Sequence, residues 1–286
     1  MYHAGLVLEG GGMKGIYTAG VLDLFLDKDL EFSSIYGVSA GACHLCSFVS
    51  KQRGRAKDVS VDYLDSKHYF GLESLLTTGN LFNVDMCYHT IPDYLYPFDH
   101  ETYMKYEGKA YSVVTNVETG MAEYLRLKDL RTDIINVQAS ASLPLVSNIV
   151  KIDGKLYLDG GMADSIPIRK SIVDGNRKSV VVMTKEVGYR RKPIDKAQLA
   201  LIKVRYAKYP KLVELMEHRH QAYNECLDYI EQLEKKGKIF VIRPQRASEV
   251  ARIEHDRTKM EALYEEGYQE AEERYDALME YLERRD

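Results

Sequence analysis

The chain has 286 residues, 45% hydrophobic and 29% charged, with a formal net charge of −4. These globular values exclude wholesale disorder, and the acidic balance argues against nucleic acid as a partner, since phosphate binding needs a basic face. The size suits one large domain, or one with a substantial insertion, that buries a full core without covalent staples. Accordingly, Cys43, Cys46, Cys87 and Cys226 are too few and too scattered for a secreted disulfide framework.

Gly5 to Glu9 reads as a short buried strand, with no charged-then-apolar leader before it. It runs into Gly10-Gly11-Gly12-Met13-Lys14-Gly15, and then into a helical pattern carrying Ile16, Ala19, Val21, Leu22 and Phe25. Ile35 to Val38 is a second strand feeding Ser39, and Ala40 to Val49 continues as a helix. Two βα units with sharp turns at the strand ends put a ligand site at those ends. Cys43 and Cys46 form a C-x-x-C on the second helix, but no further cysteine pair completes a zinc site, so helix packing is expected.

From about Gln52 to Tyr106 the pattern breaks into short helices and loops punctuated by Pro92 and Pro97. This insertion, or lid, opens with a basic cluster (Lys51, Arg53, Arg55, Lys57), expected as a solvated loop that could otherwise meet anionic lipid. Its many tyrosines and phenylalanines either wall an apolar substrate or form a satellite core. Ala110 to Val117 and Met121 to Leu127 follow as paired strands, and Thr132 to Ala141 as a helix. Ile149 to Ile152 and Lys155 to Leu158 flank Asp153-Gly154, a two-residue hairpin turn that needs positive φ. That hairpin delivers Asp159-Gly160-Gly161. Val180 to Thr184 is a buried strand. Beyond Lys192 the chain is helical: Pro210 opens a helix ending near Gly237, Lys238 to Ile242 is a late strand, and Asp256 to Arg285 reads as one long amphipathic helix. No apolar stretch is long enough to span a bilayer. A soluble cytoplasmic protein is the expectation.

Gly37-Val38-Ser39-Ala40-Gly41 is a G-x-S-x-G, which displays a serine on a tight strand-to-helix turn. Gly10, Gly12 and Gly15 also satisfy G-x-G-x-x-G, so the loop before the first helix could cradle phosphate or an oxyanion. A dinucleotide site would want an acid at the tip of the second strand. Asp27 and Asp29 lie at a helix end instead, and Ser39 holds the strand tip. An acyl-transfer site uses such a serine, with the N–H groups of Gly11, Gly12 and Met13 converging on the developing charge. Lys14 orients the loop, meets solvent or attracts an anionic substrate. The serine needs a base. His218, His220 and His255 stand at no strand end, whereas Asp159 ends a strand and is followed by two glycines that permit close approach.

Together Gly10-Gly-Gly-Met-Lys-Gly15, Gly37-Val-Ser-Ala-Gly41 and Asp159-Gly160-Gly161 resemble the ordered G-G-G-x-[RK]-G, G-x-S-x-G and D-G-[GA] motifs of the patatin-like phospholipases. The resemblance covers roughly Gly5 to Thr184. It implies Ser39 as nucleophile, Asp159 as base, and no metal, calcium or cofactor. Where many members follow the third motif with asparagine and proline, this chain has Ser165-Ile166-Pro167.

The expected architecture is a three-layer α/β/α sandwich with a mostly parallel sheet. Residues 1–192 would form the catalytic domain, with the lid at about 52–106, and residues 193–286 a helical region packed on it. The expected activity is hydrolysis of a lipid or lysolipid carboxylic ester through an acyl-serine, with transient contact to a membrane surface. A nucleotide-binding module and a catalytically silent lipid-binding protein are the alternatives. Oligomeric state is not legible.

Overall fold

Strand β1 (Tyr2–Leu8) alternates its buried side chains between two cores, Leu6 and Leu8 to one and Val7 to the other. A strand buried on both faces needs helices on both faces, and that requirement sets the layering. The computed structural model describes residues 1–284.

Around β1 lie β2 (Phe32–Val38), β3 (Lys109–Asn116), β4 (Ala122–Arg126), β5 (Val150–Ile152), β6 (Lys155–Asp159), β7 (Lys178–Val182) and β8 (Phe240–Ile242). Their order is β5-β6-β3-β2-β1-β7-β8, with β4 also on β3; the β3-β2-β1-β7-β8 run is parallel and β4, β5 and β6 are antiparallel additions. Asp153 and Gly154 both take positive φ between β5 and β6, as the hairpin requires.

The first helical layer holds α1 (Ile16–Asp27), α2 (Ala40–Val49) and α10 (Arg257–Glu273), with α3 (Arg55–Asp62), α4 (Leu72–Thr78), a π-helical turn (Met86–Leu95) and α5 (His100–Met104) beyond them. α10 and α1 touch backbone to backbone: a Cβ on Gly20 would lie 2.1 Å from the Tyr264 carbonyl oxygen. The second layer holds α7 (Ile168–Val173) and α9 (Pro210–Lys235), where Ile168, Tyr223, Leu227 and Ile230 cover Val7, Tyr36, Val181 and Val241. α6 (Leu130–Ser140) packs Ala139 against Val114 and Tyr157, and α8 (Lys196–Arg205) packs Ile202 beside Leu158 and Met162. The result is the three-layer α/β/α sandwich.

Two expectations are corrected. The C-terminal helix is two helices, α10 and α11 (Tyr275–Glu283), separated at Arg274, where φ −100° and ψ 4° leave the helical region. Its expected end at Arg285 lies outside the described residues. The lid aromatics form no separate satellite: Phe70, Phe98 and Tyr103 belong to the main core cluster with Leu8 and Leu45. Among the described residues, no helix is long and apolar enough to cross a membrane.

Candidate active site

β3 brings the two distant halves of the site together. Tyr111 to Val113 pair with β2 on one edge and β4 on the other, and Val114 and Thr115 pair with both β4 and β6. Strand β6 therefore occupies the edge that β2 leaves. Val38 pairs with Val113 and Asp159 with Val114, so Ser39 and Asp159 follow one another along a single edge, 120 positions apart in sequence.

Ser39 sits at φ 54° and ψ −121°, a backbone state that L-residues seldom adopt, and its N–H donates to Ser140 Oγ at 2.9 Å. Ser140 Oγ in turn donates to the Val113 carbonyl at 2.6 Å, tying the strained turn to β3. The flanking glycines are steric necessities: a Cβ on Gly37 would lie 2.6 Å from Ala42 Cα, and one on Gly41 2.6 Å from the Leu8 carbonyl oxygen.

Asp159 is buried at the end of β6. Its N–H donates to the Ser142 carbonyl at 2.8 Å, and its Oδ1 accepts from Gly161 N–H at 2.7 Å. Oδ2 is buried without a hydrogen-bond partner among the described residues. A carboxylate oxygen kept from water and left unpaired is costly unless another group comes to it. The turn after Asp159 closes because Gly160 lacks a side chain, a Cβ there falling 2.0 Å from the Val113 carbonyl oxygen. Ser165, in the place of the family's asparagine, donates from Oγ to the Gly161 carbonyl at 2.6 Å and so also fastens this turn.

The glycine loop is anchored at its base by Glu9, whose buried carboxylate accepts from Tyr223 OH (2.5 Å) and Thr184 N–H (2.8 Å). Burial raises the Glu9 pKa, and those two donors oppose the rise. Among the described residues, Gly11 and Gly12 N–H have no hydrogen-bond partner. Met13 N–H, by contrast, donates to the Arg252 carbonyl at 3.2 Å, and Lys14 Nζ donates to the Ser248 carbonyl at 3.3 Å. Lys14 thus holds the connection between β8 and α10 across the loop. The sequence reading of Met13 as an oxyanion donor does not match the state of its N–H here, which is already taken.

Arg219 on α9 reaches the same place. A Cβ on Gly161 would sit 2.9 Å from Asp159 Oδ1 and 3.3 Å from Arg219 Nη2. Burial, with a smaller contribution from the nearby Arg191, lowers the Arg219 pKa to about 9 against the opposing pull of Asp159. Arg219 Nε has no hydrogen-bond partner among the described residues.

A cavity of about 160 Å³ opens from the site, lined by Gly12, Ser39, Cys43, Tyr88, Phe98 and Val137, among others. Its walls are mainly apolar, which suits a hydrocarbon chain. Tyr69, Phe82 and Tyr88 of the insertion contribute to them, as do both C-x-x-C thiols. Burial pushes the Cys43 thiol up to about 12, so it stays protonated. His44 also faces the cavity, and burial holds its pKa down at about 4.

Residues 6–171 match the family model described as patatin-like phospholipase. The chain belongs to the patatin-like phospholipase family. A second match, to a domain of unknown function (DUF6363), covers residues 209–283. YjjU, an uncharacterized protein of Escherichia coli K12, is 28% identical over 84% of this chain and 68% of its own. A probable lipid hydrolase, 463L of Invertebrate iridescent virus 6, is 25% identical over 62% of this chain and 66% of its own. Among solved structures, VipD of Legionella pneumophila aligns over 97% of this chain and 67% of its own, at a TM-score of 0.47 and 14% identity. The chain spans about two thirds of each of these proteins.

Within this patatin-like domain the three glycine motifs meet at one end of the sheet. His218 lies in an open surface groove that does not include Ser39, and His255 stacks on Phe70 at 4.8 Å. Glu9, Tyr223, Arg219 and Arg252 escaped sequence reasoning. Glu9 directly precedes the glycine loop and was readable as a polar strand end; the other three, on α9 and the connection to α10, carry no local signal.

Proposed function

We propose that this chain is a lipid acyl hydrolase that cleaves carboxylic esters with Ser39 as nucleophile and Asp159 as general base. The observation that carries the reading is the unpaired, buried Asp159 Oδ2 on the strand edge that continues the one delivering Ser39. Ser39 Oγ attacks the ester carbonyl while Asp159 takes its proton, and the proton passes to the leaving alcohol as the tetrahedral intermediate collapses. Water, deprotonated by Asp159, then attacks the acyl-serine and releases the fatty acid. Gly11 and Gly12 N–H stabilise the oxyanion, and Met13 instead fixes the loop through Arg252. The acyl chain occupies the apolar cavity. We also propose residues 1–192 as the catalytic unit, with α9 completing its site through Arg219 and Tyr223.

A fluorophosphonate probe tests this directly. It is expected to label Ser39 in the folded chain, and Ser39→Ala to be unlabelled and inactive on a short-chain p-nitrophenyl ester. Turnover by Ser39→Ala at the wild-type rate overturns the proposal. A thermal-shift panel of nucleotides addresses the phosphate-loop alternative, which predicts stabilisation by a nucleotide and no labelling.

A further inference from the structure

Two basic segments of this chain have opposite fates. In the first, Lys51 pairs with Glu31 at 2.6 Å, Arg53 with Asp27 at 2.9 Å and Lys57 with Asp58 at 3.8 Å, while Arg55 is buried with Nε on the Tyr96 carbonyl. Little positive field is left for a partner. The second runs from Lys196 to Val213 with five basic residues and no acid, in a chain of net charge −4. Lys196, Lys203, Arg205, Lys208 and Lys211 are all exposed. Lys203 meets Glu217 at 3.4 Å; for the other four, no carboxylate among the described residues lies within ion-pair distance. Asp195, the nearest acid on the N-terminal side, is occupied in capping α8 through Gln198 N–H.

The same segment exposes apolar side chains. Ile202 on α8 and Tyr206 just after it are buried, whereas Leu201 is 61% and Val204 80% exposed, with Ala197 on their side one turn earlier. An exposed apolar strip flanked by unpaired lysine and arginine is the pattern of a helix that lies in a lipid interface, apolar side down and cations at the headgroups. The inward side is equally informative. Ile202 and Tyr206 pack with Leu158 and Met162, the residues bracketing the Asp159-Gly160-Gly161 turn, so α8 is seated on the chain that carries the carboxylate.

We propose that α8 and the turn to α9, Lys196 to Lys211, form the surface by which this protein docks on anionic lipid. The proposal rests on the lipid-hydrolase reading for its biological sense, but its test does not. The full chain is sedimented with phosphatidylcholine vesicles and with vesicles containing added phosphatidylglycerol, at low and high salt. Salt-sensitive binding to the anionic vesicles is expected, because each basic residue near such a surface strengthens binding by about fivefold. Lys196→Glu/Lys208→Glu is expected to weaken it at least about 25-fold, and Leu201→Ser/Val204→Ser about tenfold. Lys51→Glu/Arg53→Glu is expected to stay within about twofold of wild type. Thermal melts show that each variant is folded, and turnover of a soluble short-chain ester stays at the wild-type level in all of them. Failure of the hydrolase reading appears as absent turnover with vesicle binding intact. The docking proposal is overturned if wild type does not bind the anionic vesicles, if the α8 variants bind as well as wild type, or if Leu201→Ser/Val204→Ser merely dissociates a dimer of this chain.

Discussion

The sheet edge and the C-terminal helices reach the same site by different physics. At the edge, Ser39 and Asp159 are positioned by backbone pairing with β3 and by glycines where no side chain fits. The C-terminal helices contribute side chains instead: Arg219 beside Asp159 and Tyr223 on Glu9. Backbone geometry of the first kind tolerates little change, whereas side chains of the second kind can be altered with a graded loss. The comparison teaches that a chemical group can be written in a motif while its surroundings are supplied from 60 or more residues away.

The sharpest way to break this contrast is at the edge. Ser39→Ala and Asp159→Asn are each expected to lower ester turnover by about 1,000-fold or more, with melting temperatures close to wild type. A fall of tenfold or less for Asp159→Asn, read from kcat/KM, would remove the carboxylate from the mechanism. On the C-terminal side, Arg219→Gln is expected to cost about 10- to 100-fold in kcat/KM, roughly 1.4–2.7 kcal/mol in transition-state free energy, and to be partly rescued by Arg219→Lys. Equal losses in Arg219→Gln and Arg219→Lys, matched by equal falls in melting temperature, would make Arg219 a packing residue.

Gly160→Ala sharpens the steric side. Its Cβ would meet the Val113 carbonyl, and a loss of about 1–3 kcal/mol in denaturant-measured stability is expected. An unchanged unfolding midpoint would mean that the turn after Asp159 relaxes freely.

The smallest effect concerns His44. Its folded pKa of about 4 lies below the ordinary value of 6.5, so between these values the unfolded chain binds a proton that the folded chain does not. Its contribution is therefore fully present above the upper value and is lost as pH falls through the window. His44→Gln is expected to flatten that part of the stability–pH curve while changing ester turnover at neutral pH by less than about threefold. A loss of turnover comparable to that of Asp159→Asn would make the imidazole the base instead.

The βα units, the hairpin and the three glycine motifs were legible because each is a local demand on a few neighbouring residues: a positive φ at Asp153 and Gly154, a side chain excluded at Gly37 and Gly41. The single C-terminal helix was misread because the apolar stripe continues past Arg274 while the backbone does not. The bond from Met13 N–H to the Arg252 carbonyl was not legible because nothing near Met13 announces a carbonyl more than 200 residues further on.

By itself, then, the sequence determined the family motifs and the layered fold and singled out the proposed serine and carboxylate, since local sterics and hydrophobic alternation are written in adjacent residues. Only the tertiary structure decided that Lys51, Arg53 and Lys57 are paired with carboxylates while Lys196, Arg205, Lys208 and Lys211 are not, and that Arg219 lies against the Asp159 turn. Charge pairing and burial depend on which distant segments pack together, and one segment's composition does not contain that information.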